Sequence, residues 1–218
     1  MELLVTAWEI VIHLDAHLAE FVAEHGAWVY ALLFVIVFIE TGLVIWPFLP
    51  GDSLLFAAGA LSATGALNLG WTAGLLAVAA FTGNAVNYAI GRAVGPRVLT
   101  LAGHSGISAR LLNPEHVARA HAFFEQYGGK AVILGRFVPI VRTFVPFVAG
   151  AAAMSPGSFI FFNAVGAVAW VGLCVGAGVL FGNVPAVRDH FSLVTIGIVI
   201  VSVLPVAIEL VRARRKSR

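Results

Sequence analysis

Charge is what this sequence has least of. Only 11% of its 218 residues are Asp, Glu, Lys or Arg, while 60% are hydrophobic. A soluble domain carries about 25% charged residues, and at this size its interior cannot hide so much apolar surface. The scarcity excludes an ordinary water-soluble fold and points to lipid as the second solvent. Basic residues are absent from 1–91, the first being Arg92. That absence, with Glu2 and Glu9 at the start, leaves no basic n-region for a cleavable signal peptide. A single cysteine, Cys174, excludes an intrachain disulfide, a CxxC redox pair and a cysteine zinc site.

Glycine and proline, by contrast, are plentiful, at 23 and 9. Membrane helices tolerate both when neighbouring groups satisfy the freed backbone. The expected class is an all-α membrane protein, a single membrane domain over 1–218.

The late basic residues set a topology. Arg92, Arg97, Arg110, Arg119 and Lys130 fall in one polar connection, and Arg212, Arg214, Arg215, Lys216 and Arg218 in the tail. Positive segments stay cytoplasmic, so both are placed inside. Reading back from the tail, Phe191–Val211 is about 20 residues, enough to span. Phe159–Phe181 is a second span and Trp71–Arg92 a third. The links at 67–70 and 182–190 are then external.

Two further apolar stretches do not fit as simple spans. Lys130–Pro156 must begin and end inside. It reads as a re-entrant hairpin broken at Pro139 and Pro146. Ala27–Ala66 is too long for one span and is interrupted by Pro47, Pro50 and Gly51; a second hairpin entering from outside fits the parity. A full span over 28–46 from an internal N-terminus is the rival, opposed by the lack of basic residues before it.

Residues 1–26 carry Leu4, Trp8, Val11, Leu18 and Val22 at helical spacing, opposite Glu2, Glu9, His13 and Glu20. This is an amphipathic interfacial helix. Pro114–Tyr127 repeats the design, with Asn113 as N-cap and Pro114 at N1. The order amphipathic helix, small-residue turn, Pro-broken hairpin and Gly-aromatic helix thus occurs twice, over 27–95 and 110–182, followed by a final span and tail over 191–218. With hairpins entering from opposite sides, the halves form an inverted repeat, the design of transporter cores with broken helices.

The chemistry lies in four charges inside the apolar hairpins: Glu40, Asp52, Arg136 and Arg142. A charge at the centre of a membrane helix costs at least about 2.5 kcal/mol and is functional by default. Both acids lie in one hairpin and both bases in the other. One reading is a pair of salt bridges that only holds the hairpins together, since buried charges must pair. The other adds function: arginines grip phosphate in a planar fork, and a buried carboxylate can carry a proton.

The residues around these charges carry a resemblance. The run E-T-G-x-x-x-x-P-x-x-P-G-D at Glu40–Asp52 and the run G-R-F-x-P-x-V-R-T-x-x-P-x-x-A-G at Gly135–Gly150 resemble the two signatures of the DedA family, which shares its VTT domain with eukaryotic lipid scramblases. G-N-x-x-N-Y-x-x-G-R-x-x-G at Gly83–Gly95, F-F-x-x-Y-G-G-K at Phe123–Lys130, and Asn163, Gly166 and Trp170 support it. The likeness runs over residues 20–182, with no departure at the four charges. It implies a transporter dependent on the proton-motive force in a bacterial inner membrane, moving undecaprenyl phosphate or a glycerophospholipid such as phosphatidylethanolamine. It maps proton coupling to Glu40 and Asp52 and substrate binding to Arg136 and Arg142.

Other classes fare worse. A lipid phosphatase would need a nucleophilic His with K-x6-R-P, P-S-G-H or S-R-x5-H patterns, which the sequence lacks. Gly103–His104–Ser105–Gly106 misses G-x-S-x-G spacing. His13 and His17 stand four apart, without H-E-x-x-H. No cofactor, metal or nucleic-acid partner is expected. The expected partners are the membrane and a lipid, with self-association left open. A proton-coupled small-molecule or ion transporter and a structural scaffold are the alternatives. The scaffold draws on the small-residue rows of Gly172, Gly176, Gly178 and Gly182, but packing alone gives no reason to bury four charges.

Overall fold

The structure is a computed structural model that describes residues 24–43, 51–101, 114–182, 184 and 197. Among them every regular element is helical: α1 (Trp28–Gly42), α2 (Gly51–Ala63), α3 (Leu69–Leu101), α4 (Pro114–Tyr127), α5 (Lys130–Leu134), a 3-10 turn (Gly135–Phe137), α6 (Pro139–Ala151) and α7 (Pro156–Phe181). Two helices are long and apolar enough to cross a membrane, Leu69–Val94 within α3 and α7, each 26 residues. At about 1.5 Å per residue each reaches roughly 39 Å, beyond a hydrocarbon core of about 30 Å. Their outward side chains, Val78, Val86 and Ile90 on α3 and Phe161, Val168 and Leu180 on α7, are apolar and exposed, as lipid contact requires.

The chain divides into two compact units. One gathers the residues up to Ile36, those from Pro50 to Leu76 and those from Val171 on; the other gathers Val37–Leu49 and Ala77–Trp170. In the first, α2 packs on the last turns of α7 through small residues. A Cβ added to Gly59 would collide with the Val175 carbonyl, and one on Gly178 with the Phe56 carbonyl. Such contacts replace the hydrophobic drive that lipid removes. Gly172 and Gly176 are different: a Cβ there meets nothing within 4 Å. Only part of the expected glycine row is therefore a packing surface among the described residues. Asn68 starts α3, its Oδ1 accepting from the Trp71 N–H at 3.0 Å, an N-cap by the usual rule.

In the second unit, α4, α6 and the start of α7 close over a core of Val141, Phe144, Val145, Phe147, Val148 and Phe159. α3 crosses α6 so closely that Gly91 faces the Phe147 carbonyl and Gly150 faces the Tyr88 carbonyl. Tyr88 stacks on Phe159 with ring centroids 4.1 Å apart. The α6–α7 turn is tied to α3: the Tyr88 hydroxyl donates to the Met154 carbonyl, and Arg92 Nη1 donates to both at 2.9 and 3.1 Å.

The hairpin breaks differ from expectation. Pro139 does interrupt the second apolar stretch. It sits at N1 of α6, and Val138 before it is extended (φ −113°, ψ 108°), as steric clash with a following proline demands. Pro146 does not break the chain; α6 runs through it to Ala151. An interior proline costs a helix roughly 3 kcal/mol, but here Phe144, Val145, Phe147 and Val148 are all buried and hold both turns in place. Gly51 opens α2, while Pro47 and Pro50 lie outside the described residues. α3 is longer than the span expected for Trp71–Arg92, continuing to Leu101, so Arg92 and Arg97 lie on a helix and not in a loop. α4 has the predicted bounds. The amphipathic helix at 1–26, apart from its last residues, the Asn113 cap and the final span at Phe191–Val211, apart from residue 197, lie outside the described residues.

Candidate functional site

The second unit buries an unusual set of polar groups: Glu40, Asn84, Asn87, Arg136, Thr143 and Asn163 are each at most 4% exposed. They come from five elements. Glu40 and Thr41 close α1. Asn84, Asn87 and Tyr88 follow i, i+3, i+4 spacing, which puts them on one face of α3. Arg136 sits in the 3-10 turn, and Arg142 and Thr143 in the first turns of α6. Asn163, Gly166 and Trp170 share a face of α7. Gly166 makes room for arginine, since a Cβ there would press on Arg136 Cδ and Nε at 3.1 Å.

The two arginines are held differently. Arg142 Nη2 donates to Glu40 Oε1, an ion pair whose side chains are 12% and 1% exposed. Trp170 lies beside it, with the guanidinium carbon 6.0 Å from the ring centroid, at the outer reach of a cation–π contact. Arg136 Nη2 donates to Asn163 Oδ1 at 2.7 Å and to the Ala80 carbonyl at 3.2 Å. With its oxygen toward Arg136, the Asn84 amide accepts from the same Nη2 at 2.9 Å and donates to the Thr41 carbonyl at 3.2 Å. Asn163 Nδ2 donates to the Phe81 carbonyl at 2.9 Å, so both ends of that amide are fixed. Asn87 Nδ2 donates to the Thr143 carbonyl at 2.8 Å.

These groups enclose a cavity of about 20 Å³ lined by Glu40, Thr41, Asn84, Arg136, Arg142, Thr143 and Trp170. That is room for about one water molecule. The cavity brings together three of the four charges singled out in the sequence: Glu40, Arg136 and Arg142. Asp52, half-buried in the first turn of α2, belongs to the other unit. In the sequence Asn84, Asn87 and Asn163 stand only within the motifs that carry the family resemblance, and no role is expected of them. The signal available in the sequence is their neutral amides at helical spacing inside otherwise largely apolar spans. Among the described residues no group of three His, Cys, Asp or Glu side chains is placed to hold a metal ion. His13, His17 and Gly103–Gly106 lie outside them.

Among the described residues, the all-helical structure, two apolar helices long enough to cross a membrane and a buried arginine–carboxylate–amide centre fit a membrane protein. Comparison with known proteins agrees. A VTT domain is matched over residues 49–180. The chain is 48% identical over 217 residues to Protein DedA of Escherichia coli K12, covering 99% of this chain and 97% of that one. It is 42% identical over 195 residues to the uncharacterized membrane protein Rv0364 of Mycobacterium tuberculosis H37Rv, covering 88% and 83%. It is 38% identical over 156 residues to the inner membrane protein YqjA of E. coli K12, covering 72% and 69%. No solved structure matches. The chain belongs to the DedA family of VTT-domain membrane proteins, a family linked to membrane transport and homeostasis.

Proposed function

We propose that this protein moves a phosphate-bearing lipid across the bacterial inner membrane, a glycerophospholipid or undecaprenyl phosphate, with Arg136 and Arg142 taking the anionic head group while the tails stay in the bilayer. The observation that carries the reading is a buried guanidinium and a second, mostly buried one beside one cavity, the second held by a carboxylate. A permanent scaffold needs no second buried cation beside an ion pair that is already matched.

The cavity is too small for a phosphate, so the head group enters only after the elements around it part. α1 and α2, at 15 and 13 residues, reach only about 22 and 20 Å at ~1.5 Å per residue, short of a bilayer core of about 30 Å. α5 and α6 are shorter or equal. Short helices in pairs on either side of a break support two re-entrant hairpins, and their recurrence supports an inverted repeat whose halves rearrange about a central site. Protonation of Glu40 weakens its hold on Arg142 and frees that guanidinium for phosphate, which couples movement to a proton gradient. Asp52 is the second proton carrier in this scheme. The inner-membrane location follows the YqjA relative's description, and the basic residues after Arg92 put the C-terminus in the cytoplasm.

The test is reconstitution in liposomes carrying a labelled phospholipid or polyprenyl phosphate, with and without a pH gradient. Wild-type protein should move the lipid between leaflets, and the gradient should set the direction. Arg142→Lys keeps the charge but loses the planar fork, so transport should fall by about tenfold or more. Arg136→Ala and Arg142→Ala variants that insert normally and still transport at the wild-type rate would make the arginines structural and end this reading.

A further inference from the structure

Arg136 presents a puzzle of charge. Its side chain is buried to 4% exposure, yet every hydrogen bond it makes among the described residues goes to a neutral oxygen: the Ala80 carbonyl, Asn163 Oδ1 and, with the amide turned toward it, Asn84 Oδ1. All three converge on Nη2. Nε is enclosed and has no partner among the described residues. The same unit solves the same problem for Arg142 with a carboxylate, Glu40. Stability alone favours that second solution, because removing a cation from water is strongly unfavourable unless a counter-charge or a full set of hydrogen bonds offsets it.

Amide and carbonyl dipoles do something a carboxylate cannot. They orient a guanidinium and stabilise its charge in part without cancelling it. Asn163 is well suited to this, because its Nδ2 is committed to the Phe81 carbonyl at 2.9 Å, leaving the oxygen aimed at arginine. Asn84 is anchored likewise through the Thr41 carbonyl at 3.2 Å. Gly166 clears the space in which the Arg136 stem lies.

We infer that Asn163 and Asn84 are positioning residues that hold Arg136 as a buried, un-neutralised cation with donors to spare toward the cavity, the fixed seat for one anionic oxygen group of the substrate. Arg142 and Glu40 form the part that opens. The inference rests on the head-group reading above and deepens it by naming what keeps the seat charged.

Substitution by aspartate separates this from a structural role. Asp and Ala both lose the donor to the Phe81 carbonyl, but Asp keeps the shape of Asn and an oxygen toward Arg136, so a merely structural Asn163 makes Asn163→Asp no worse than Asn163→Ala. A charge-preserving Asn163 reverses the order, because Asp places a carboxylate against Arg136 and fills the seat. The experiment uses full-length protein in phosphatidylcholine nanodiscs. It measures the dissociation constant for short-chain phosphatidylglycerol and short-chain phosphatidic acid, with short-chain phosphatidylcholine as the zwitterionic control, by ligand-induced thermal stabilisation. The wild type should bind the anionic lipids. Asn163→Asp should weaken binding by about tenfold or more through loss of the available charge, and Asn163→Ala should weaken it less. Asn84→Asp and Asn84→Ala form a second pair with the same expected order, should the position 163 variants fail to fold. If the wild type binds and the aspartate variants bind as well as or better than the alanine variants, this inference is overturned and the head-group reading stands. If the wild type binds no anionic lipid, the head-group reading fails, and this inference with it.

Discussion

Asn87 on α3 donates its side-chain amide to the Thr143 carbonyl on α6 at 2.8 Å, three residues before Pro146. Proline at 146 removes the N–H that would serve the Arg142 carbonyl and pushes that turn open. A neighbouring helix thus supplies a donor to the turn the proline loosens, as broken membrane helices require. Asn87→Leu should destabilise the protein by about 1–3 kcal/mol, the usual cost of stranding a buried polar group. With Pro146→Ala in the background the turn recovers its own donor, and the cost should shrink. A double-mutant cycle read by thermal unfolding in detergent checks this; equal costs in both backgrounds would separate Asn87 from the proline.

Glu40 and Arg142 supply a second prediction. Removing one partner of a buried pair leaves an uncompensated charge and costs about 3–5 kcal/mol, whereas replacing both is far milder. Arg142→Ala should therefore lower the unfolding temperature more than a Glu40→Gln, Arg142→Met double variant does. In transport, Glu40→Gln mimics the protonated acid. It should leave movement that no longer responds to pH while the protein still inserts. Full retention of pH dependence would move the proton-carrying role to Asp52.

Much of this centre was legible in the sequence, and for a simple reason. A charge in an apolar run is conspicuous, so Glu40, Arg136 and Arg142 stand out, but the partner of each does not: both acids are expected beside both arginines, whereas Glu40 meets Arg142, Arg136 meets neutral oxygens and Asp52 belongs to the other unit. The amides of Asn84, Asn87 and Asn163 did not stand out, because a neutral polar residue in a membrane helix is common and its role depends on what lies opposite. Pro146 was misread because proline's local effect is visible in sequence while the packing of Phe147 and Val148 that carries the helix through it is not. Pro139 is the simpler case: it starts α6 with Val138 extended before it, a constraint that is purely local. α4 was legible to the residue because amphipathic spacing and an N1 proline both mark it. The C-terminal limit of α3 was not, as Arg92 suits a helix as well as a loop.

The glycines give a third prediction with a built-in control. Gly91→Ala and Gly150→Ala each place a Cβ against backbone on the facing helix, and backbone cannot turn aside. Overpacking of this kind costs about 1–3 kcal/mol. Gly172→Ala and Gly176→Ala meet nothing within 4 Å and remove a residue of poor helix propensity, so they should be neutral or slightly stabilising. The two pairs, compared by unfolding temperature at equal expression, should separate cleanly.

Topology is tested by labelling. In a Cys174→Ala background, a cysteine at Asn68 should react with a membrane-impermeant maleimide added from outside, as should one at Asn183. One at Ser105 should react only after the membrane is opened. Strong external labelling at Ser105 would reverse the orientation assigned from the basic residues.

Glu40 and Arg142 lie 102 positions apart in the chain, and a ribosome delivers them in that order. At about 5–20 residues per second, the carboxylate emerges roughly 5–20 s before the guanidinium that offsets its charge. For that interval α1 cannot rest at its final depth as an ionised segment without the full desolvation penalty. Its carboxyl must stay protonated or remain in contact with water until α6 is made. The final burial of α1 is therefore timed by translation of α6, and slowing the ribosome between the two should prolong the exposure of α1.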